Sequence, residues 1–147
     1  MTTLNVNQFI KDHYYGVLST HSQTESGFPF GSLTPYIVTN NGDIAIFISH
    51  LAEHTTNIQV NPKVSLTIFD PVEPTNPSAS ARITCLANVI QADDESSLRA
   101  IYSAQFPDSA MTLDLPGFHF YLLQLSKVRL VAGFGQVKWL TVEQLNL

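Results

Sequence analysis

The stretch FGSLTPYIVTNNGDIAIFI, residues 30–48, decides the fold class of this chain. Asn41 and Gly42 form an Asn-Gly pair between two runs rich in β-branched and aromatic residues, and this arrangement is typical of a β-hairpin. Residues 44–48 are apolar at every position, which indicates a strand buried on both faces. The stretch therefore predicts two antiparallel strands, residues 30–39 and 44–48, within a larger sheet.

Patterns on either side of this hairpin predict more strands and a few short helices. Further strands are predicted at residues 16–20, 64–69, 82–91, 118–125 and 128–131. Helical spacing or capping residues predict helices after Asn5 or Thr3, within residues 49–61, from residue 93 to 105, and after Thr141. Strands and helices do not alternate, so a doubly wound parallel sheet is disfavoured.

The expected architecture is mainly β with peripheral helices, an antiparallel sheet closed or nearly closed as a barrel. The chain shows no internal repeat and no low-complexity linker. Residues 70–80 are rich in proline, but this loop is too short to separate two domains. We therefore expect residues 1–147 to form one domain.

Composition excludes several classes of function. The formal net charge is −5 and only 13% of residues are charged, which argues against binding to a nucleic-acid backbone and suggests that another subunit covers part of the surface. Cys85 is the single cysteine, so an intramolecular disulfide is impossible. There is no signal-peptide pattern and no apolar run long enough to cross a membrane, and we expect a cytoplasmic protein without a membrane partner.

Several local motifs allow chemistry but do not require it. His50-Leu51-Ala52-Glu53-His54 matches the inverted zinc-peptidase pattern, in which two histidines share one helical face. The pattern is short, and a solvent-facing helix start explains it equally simply. Ser49 beside two histidines suggests nucleophilic catalysis, but no nucleophile elbow surrounds any serine. Gly133-Phe134-Gly135 lacks the third glycine of a phosphate-binding loop and fits a bend at a strand end.

Single residues leave further alternatives open. Arg82 begins an apolar strand, where it is either an exposed charge or an anion anchor. His119 lies between two phenylalanines and suits a hydrogen-bonded core or interface position, with haem ligation as the alternative. Lys127 and Arg129 share one strand face and are expected to be solvated, with a second anion contact as the alternative. Cys85 is expected to be a small buried side chain.

Five segments together resemble the FMN-binding split-barrel superfamily related to pyridoxamine 5′-phosphate oxidase, and most of all its haem-utilisation branch. These segments are GFPFGSLTPY (27–36), ISHLAEHTTN (48–57), NPKVSL (61–66), ARIT (81–84) and VAGFGQ (131–136). The resemblance runs from about Tyr15 to Trp139. It implies a six-stranded antiparallel split barrel that forms a homodimer, with a cofactor cleft at the subunit interface.

By position, the resemblance also implies a set of cofactor-binding residues. Ser32, Leu33 and Thr34 would line the isoalloxazine ring of FMN. The phosphate would meet Ser49, Arg82 and the helical turn that follows the strand. The residues of this turn are His54, Thr55 and Asn57. Hydroxyl groups, a helix N-terminus and one arginine are suitable phosphate partners.

Three positions depart from the family pattern. Oxidases of the superfamily generally place basic residues where this chain has Ala52 and His54, and the haem-utilisation branch often has one at the position of Thr56. Each lost charge-assisted bond weakens phosphate binding by about 1 kcal/mol, so FMN affinity is expected to fall ten- to a hundredfold. The resemblance also accounts for residues 50–54, so we expect no zinc site.

These observations define three hypotheses. The first is an FMN-binding flavoprotein oxidoreductase that acts on a small planar substrate, with the redox chemistry supplied by the flavin and no identified catalytic residue. The alternative is a haem-binding protein of haem or iron utilisation without flavin, with His50, His54 or His119 as candidate ligands. The third is a cofactor-free dimer that serves as a binding module.

Overall fold

The structure is a computed structural model that describes residues 4–133 and 135–145. Its strands are β1 (Tyr15–His21), β2 (Pro29–Pro35), β3 (Ile37–Val38), β4 (Ile44–Ser49), β5 (Lys63–Phe69), β6 (Arg82–Gln91), β7 (Phe118–Ala132) and β8 (Gln136–Thr141). Its helices are α1 (Val6–Asp12), α2 (Glu53–Val60), α3 (Ser96–Gln105), α4 (Ala110–Leu113) and α5 (Val142–Leu145). Short 3₁₀ turns occupy Pro77–Ala79 and Pro107–Ser109. None of the helices in the described part is long and apolar enough to cross a membrane.

One curled antiparallel sheet contains all these strands. Its order is β2-β1-β5-β6-β7-β4-β3, and β8 pairs with β7. The predicted antiparallel β class with peripheral helices is confirmed as a half-barrel. The sequence patterns predict seven strands and the resemblance implies six, whereas the sheet has eight. The predicted strand at 30–39 divides into β2 and β3, the two predicted strands at 118–125 and 128–131 join as β7, and β8 was not predicted.

The core has two parts, and β4 supplies side chains to both. Ile44, Ile46 and Ile48 pack into the main core inside the curled sheet. Ala45 and Phe47 face the opposite side, where they pack against Leu98 and Tyr102 of α3 and other buried residues. The prediction of a strand buried on both faces is therefore confirmed.

Local capping chemistry fixes the ends of two helices as predicted. The Asn5 side chain accepts a hydrogen bond from the Gln8 amide at 3.0 Å at the start of α1; Thr3, the other candidate cap, lies outside the described residues. At α5, the Thr141 amide donates to Gln144 Oε1 at 2.8 Å. The Gln144 amide donates in turn to Thr141 Oγ1 at 3.3 Å, which completes the predicted capping box.

Specific hydrogen bonds and strand pairings decide the elements that differ from prediction. The strand at 30–39 divides at the buried Tyr36, whose amide donates to Tyr14 O at 3.1 Å and whose phenol donates to Ile10 O at 2.5 Å. The two predicted strands at 118–125 and 128–131 form one strand, β7, with an irregularity in its pairing with β6 between Leu86 and Ala87. The helix predicted from residue 93 begins at Ser96, because the Asp94 carboxylate accepts a hydrogen bond from the Ser96 amide at 3.0 Å.

Candidate functional site

Helix α2 lies beside β1, and a buried amide joins the two elements. Asn57 is fully buried. Its Nδ2 donates to Thr20 Oγ1 at 3.0 Å, and its Oδ1 accepts from the Gln23 amide at 3.0 Å. A buried polar group that loses its partner costs about 1–3 kcal/mol, so this pairing stabilises the packing of α2 on the sheet. Asn57 therefore has a structural role in this fold.

The chain between β4 and α2 is held by hydroxyl groups. Thr55 is buried and its Oγ1 donates to Ser49 O at 2.5 Å. Ser49 Oγ accepts from the Leu51 amide at 3.1 Å. These bonds form a tight turn before α2, which spans Glu53–Val60 and lies within the predicted range of 49–61.

His54 links α2 to β2. Its Nδ1 lies 3.0 Å from Ser32 Oγ, whereas its buried Nε2 has no hydrogen-bond partner among the described residues. Burial lowers the pKa of His54 below its ordinary value, because the charged imidazole would lose hydration. On the same strand, the buried Thr34 donates from Oγ1 to Ser32 O at 3.4 Å. The neutral His54 ring is thus the one group here that has an unused buried nitrogen.

The sheet separates Leu33 and Arg82 from five of the other predicted residues, which are Ser32, Thr34, His54, Thr55 and Asn57. Leu33 is directly opposite Val17 and projects from the outer surface of the sheet, where it is 68% exposed. Arg82 Nη1 donates to Ser78 O and Ser80 O, both at 3.1 Å. The predicted cofactor residues therefore do not converge on one point within a single chain.

The start of α2 is not an evident cradle for a phosphate. The N-cap residue Ala52 provides no side-chain cap, and Glu53 occupies the first turn. Thr24 Oγ1 donates to Glu53 Oε1 at 2.7 Å, which keeps the carboxylate beside the helix start. Glu53 offsets the positive end of the helix dipole, and α2 contains no lysine or arginine, so the helix start does not favour a further anion.

Positive charge lies on the outer face of the sheet. We define this face as the residues of six strands that alternate with the residues pointing into the core. These are Tyr15, Val17, Ser19, His21, Pro29, Gly31, Leu33, Pro35, Lys63, Ser65, Thr67, Phe69, Arg82, Thr84, Leu86, Asn88, Lys127, Arg129, Val131, Val137, Trp139 and Thr141. Four of the seven Lys and Arg residues of the sequence are in this set, but none of its 12 Asp and Glu residues. A sheet face with cations and no carboxylates carries a positive potential that attracts anions.

An aromatic ring lies among these charges. Trp139 is 46% exposed, and both Lys127 Nζ and Arg129 Cζ lie 5.5 Å from the centroid of its ring. Cation–π contact holds the two charges beside a flat apolar surface. Neither Trp139 nor Lys63 was singled out from the sequence. The signal that could have identified this surface was the recurrence of cations at alternate positions of strands that pair with one another.

His50 and His119 have ring nitrogens oriented by backbone or carboxylate oxygens. His50 Nδ1 lies 3.0 Å from Gly117 O, and a carbonyl oxygen only accepts, so Nδ1 has the proton. His119 Nδ1 lies 3.5 Å from Glu95 Oε2, and the same oxygen accepts from the Phe120 amide at 2.9 Å. In their neutral forms both rings then have the lone pair on Nε2, as a metal-ligating histidine requires.

Comparison with known proteins identifies haem-related relatives. The chain is 34% identical to the chloroplastic non-canonical heme oxygenase HOZ of Arabidopsis thaliana over 121 residues, which span 80% of this chain and 36% of the relative. It is 31% identical to heme oxygenase HutZ of Vibrio cholerae over 116 residues, which span 75% of this chain and 65% of the relative. The chain therefore covers less than two thirds of the length of either relative.

Comparison of structures agrees at the level of the fold. The heme binding protein from Mycobacterium smegmatis superposes with a TM-score of 0.82 at 23% identity, over 99% of this chain and 61% of that chain. The family model described as pyridoxamine 5′-phosphate oxidase matches residues 2–132. That match covers most of the chain, and the chain therefore belongs to the pyridoxamine 5′-phosphate oxidase family.

Proposed function

We propose that this chain binds haem and acts in haem handling, as one domain over residues 1–147. The observation that carries the proposal is the outer face, where Lys127 and Arg129 flank Trp139 without a nearby carboxylate among the positions of that face. Haem is a flat apolar ring with two carboxylates, so a flat aromatic surface between cations suits it. The two relatives named heme oxygenase support this choice.

Haem would be the bound substrate or cargo, and its iron would supply the oxygen and redox chemistry. We propose His119 as the ligand among His50, His54 and His119, because it is exposed and its Nδ1 faces Glu95. His54 is less suitable as a ligand, because its Nε2 is buried. His119 is eight residues from Lys127 along β7, roughly 26 Å, so one haem would meet both only if they came from different chains.

We therefore also propose a homodimer, with haem at the boundary between subunits. Apolar side chains are exposed at both edges of the outer face: Leu33 on β2 is 68% exposed, and Val137 and Trp139 on β8 are 50% and 46% exposed. Exposed apolar patches of this kind mark protein interfaces. Two cationic faces repel each other, and an anionic haem between them would offset that repulsion.

FMN is the second candidate, favoured by the family to which the chain belongs. The predicted set of Ser32, Leu33, Thr34, Ser49, His54, Thr55, Asn57 and Arg82 belongs to this candidate. Glu53 opposes it, because its carboxylate lies at the helix start where the phosphate would bind. FMN would then serve an oxidoreductase that acts on a small planar substrate.

The deciding measurement is the visible absorption spectrum of the purified protein, alone and during titration with haem and with FMN. We expect a haem band that saturates, and a change in this band in His119→Ala that His50→Ala and His54→Ala do not produce. A flavin spectrum that survives desalting, without haem uptake, would favour FMN and make Arg82→Ala the first variant. No response to either would leave a cofactor-free binding module.

The homodimer is tested separately by light scattering after size-exclusion chromatography. We expect wild-type protein at twice the mass of one chain and Leu33→Asp at the mass of one chain. Met111→Asp is the matched control, because Met111 is 84% exposed but lies on α4, outside the outer face. A monomeric wild-type protein would contradict the proposal.

A further inference from the structure

Strands β1 and β5 separate at one end of the sheet and leave a groove. Their pairing ends at Ser19 and Ser65, although both strands continue, β1 to His21 and β5 back to Lys63. The groove has a volume of about 500 Å³. It opens on the outer face, at the end opposite the turn that holds Arg82.

Two hydroxyl groups lie at the point where the strands separate. Ser19 and Ser65 are directly opposite each other in the register and are half-buried. Neither hydroxyl bonds to another side chain or backbone group in the described part of the chain, and both line the groove. Each is therefore available as a hydrogen-bond donor to a bound molecule.

A lysine at the rim supplies positive charge. Lys63 Nζ donates to Asn88 Oδ1 at 3.3 Å, on the strand directly beside it. This bond uses one of the three ammonium protons and leaves two. His21 lines the groove as well, and none of the twelve lining residues is acidic.

The far wall is shaped by an irregularity between β6 and β7. Leu86 pairs with Lys127 and Ala87 pairs with Leu125, so Ser126 has no partner on β6. Such a bulge bends a strand and redirects its side chains. Here Ser126 and Leu86 complete the wall, which gives the groove an apolar side beside its polar floor.

We propose that this groove binds the carboxylate end of the haem, with Lys63 as the charged contact and the Ser19 and Ser65 hydroxyls as neutral donors. The inference rests on the proposed function and specifies its anion site. One ammonium with neutral donors matches one of the two singly charged carboxylates of haem. The ring would extend from the groove along the outer face toward Trp139. One line of residues paired across neighbouring strands leads in that direction: Ser19, Ser65, Leu86 and Lys127, the last of which contacts Trp139.

The test compares haem with its dimethyl ester, in which both carboxylates are neutral. Equilibrium titrations followed by absorption are made on the wild-type chain, Lys63→Gln, Ser65→Ala and the control Lys11→Gln, an exposed lysine on α1. We expect Lys63→Gln to weaken haem binding about tenfold and Ser65→Ala about threefold. The ester should bind more weakly than haem to wild type and equally to wild type and Lys63→Gln.

Two failures would be distinguishable. If wild type binds haem but Lys63→Gln and Ser65→Ala bind it equally well, the groove is not the anion site and the haem function stands. The same conclusion follows if Lys63→Gln weakens the ester as much as haem, because the effect would not depend on the carboxylates. If wild type does not bind haem at all, both proposals are overturned. Far-UV circular dichroism of each variant establishes that it is folded.

Discussion

Under α2, polar side chains of the sheet are hydrogen-bonded to side chains of the helix, whereas on the outer face of the same strands they are largely left for solvent. Thr20 points inward and binds Asn57; Ser19, its neighbour in sequence, points outward and bonds to no described residue. The first arrangement stabilises the fold, since buried polar groups need partners. The second leaves donors and cations available to a ligand, so function is expected on the outer face.

The largest expected effect is the loss of stability on removing Asn57. Asn57→Ala leaves the Gln23 amide without its acceptor and Thr20 without its donor, and opens a small cavity. We expect the free energy of unfolding to fall by about 2–4 kcal/mol, measured by urea denaturation. Gln59→Ala, an exposed change on the same helix, should shift it by less than about 0.5 kcal/mol. Equal effects of the two substitutions would show that the hydrogen bonds of Asn57 contribute little to stability.

Alanine substitutions at two glycines compare how tightly the inner and outer faces of the sheet are packed. A Cβ at the buried Gly16 would lie 2.6 Å from Thr67 O, a backbone atom that cannot easily move. A Cβ at Gly31 would lie 3.4 Å from Val17 Cγ1, an ordinary contact. We expect Gly16→Ala to destabilise the protein by about 1–3 kcal/mol, and Gly31→Ala to leave the melting temperature nearly unchanged. A destabilising Gly31→Ala would mean that the outer face is packed more tightly than its exposure indicates.

A smaller effect is the pH dependence that His54 contributes. Burial lowers the pKa of His54 in the folded state below the ordinary value of 6.5. The unfolded state therefore binds more protons just below pH 6.5, so stability is retained above this pH and lost as the pH falls toward the folded-state pKa. Urea denaturation at pH 7.5 and pH 5.5 should show a smaller loss in His54→Gln than in wild type. An equal loss would assign the pH dependence to other groups.

The smallest expected effect concerns Lys127 on the outer face. Lys127→Ala removes one of two cation–π contacts to Trp139, worth about 0.5–1 kcal/mol at an exposed site. Trp139 is the only tryptophan, so its fluorescence reports this face alone. We expect a changed emission spectrum with nearly unchanged stability, and haem addition should quench the emission. An emission spectrum unaffected by both haem and Lys127→Ala would place the ligand away from Trp139.

The sequence predicted the turns and helix ends that depend on residues close together in the chain. The Asn-Gly turn requires a positive φ, which Gly42 adopts at 84°. The Asn5 cap and the Thr141–Gln144 capping box need side chains only three residues apart. β8 was not predicted, because its alternation is weak and most of its residues remain exposed. It forms because β7 extends far enough to pair with it.

The candidate site was only partly predictable for a related reason. The family resemblance identified Ser32, Leu33 and Thr34 as a unit, yet successive residues of a strand point to opposite faces. Ser32 therefore meets His54 inside, while Leu33 lies outside in line with Val17. Lys63 and Asn88 are 25 residues apart and meet only through the pairing of β5 with β6.

The sequence by itself determined the antiparallel β class, the caps and turns, the doubly buried strand β4 and the family, because these depend on local conformation and on the order of residue types. Only the tertiary structure decided which polar residues are bonded to one another and which face outward. That division depends on strand register, since a shift by one residue exchanges the two faces of a sheet. Register is fixed by packing against the rest of the core, and no short stretch of sequence contains it.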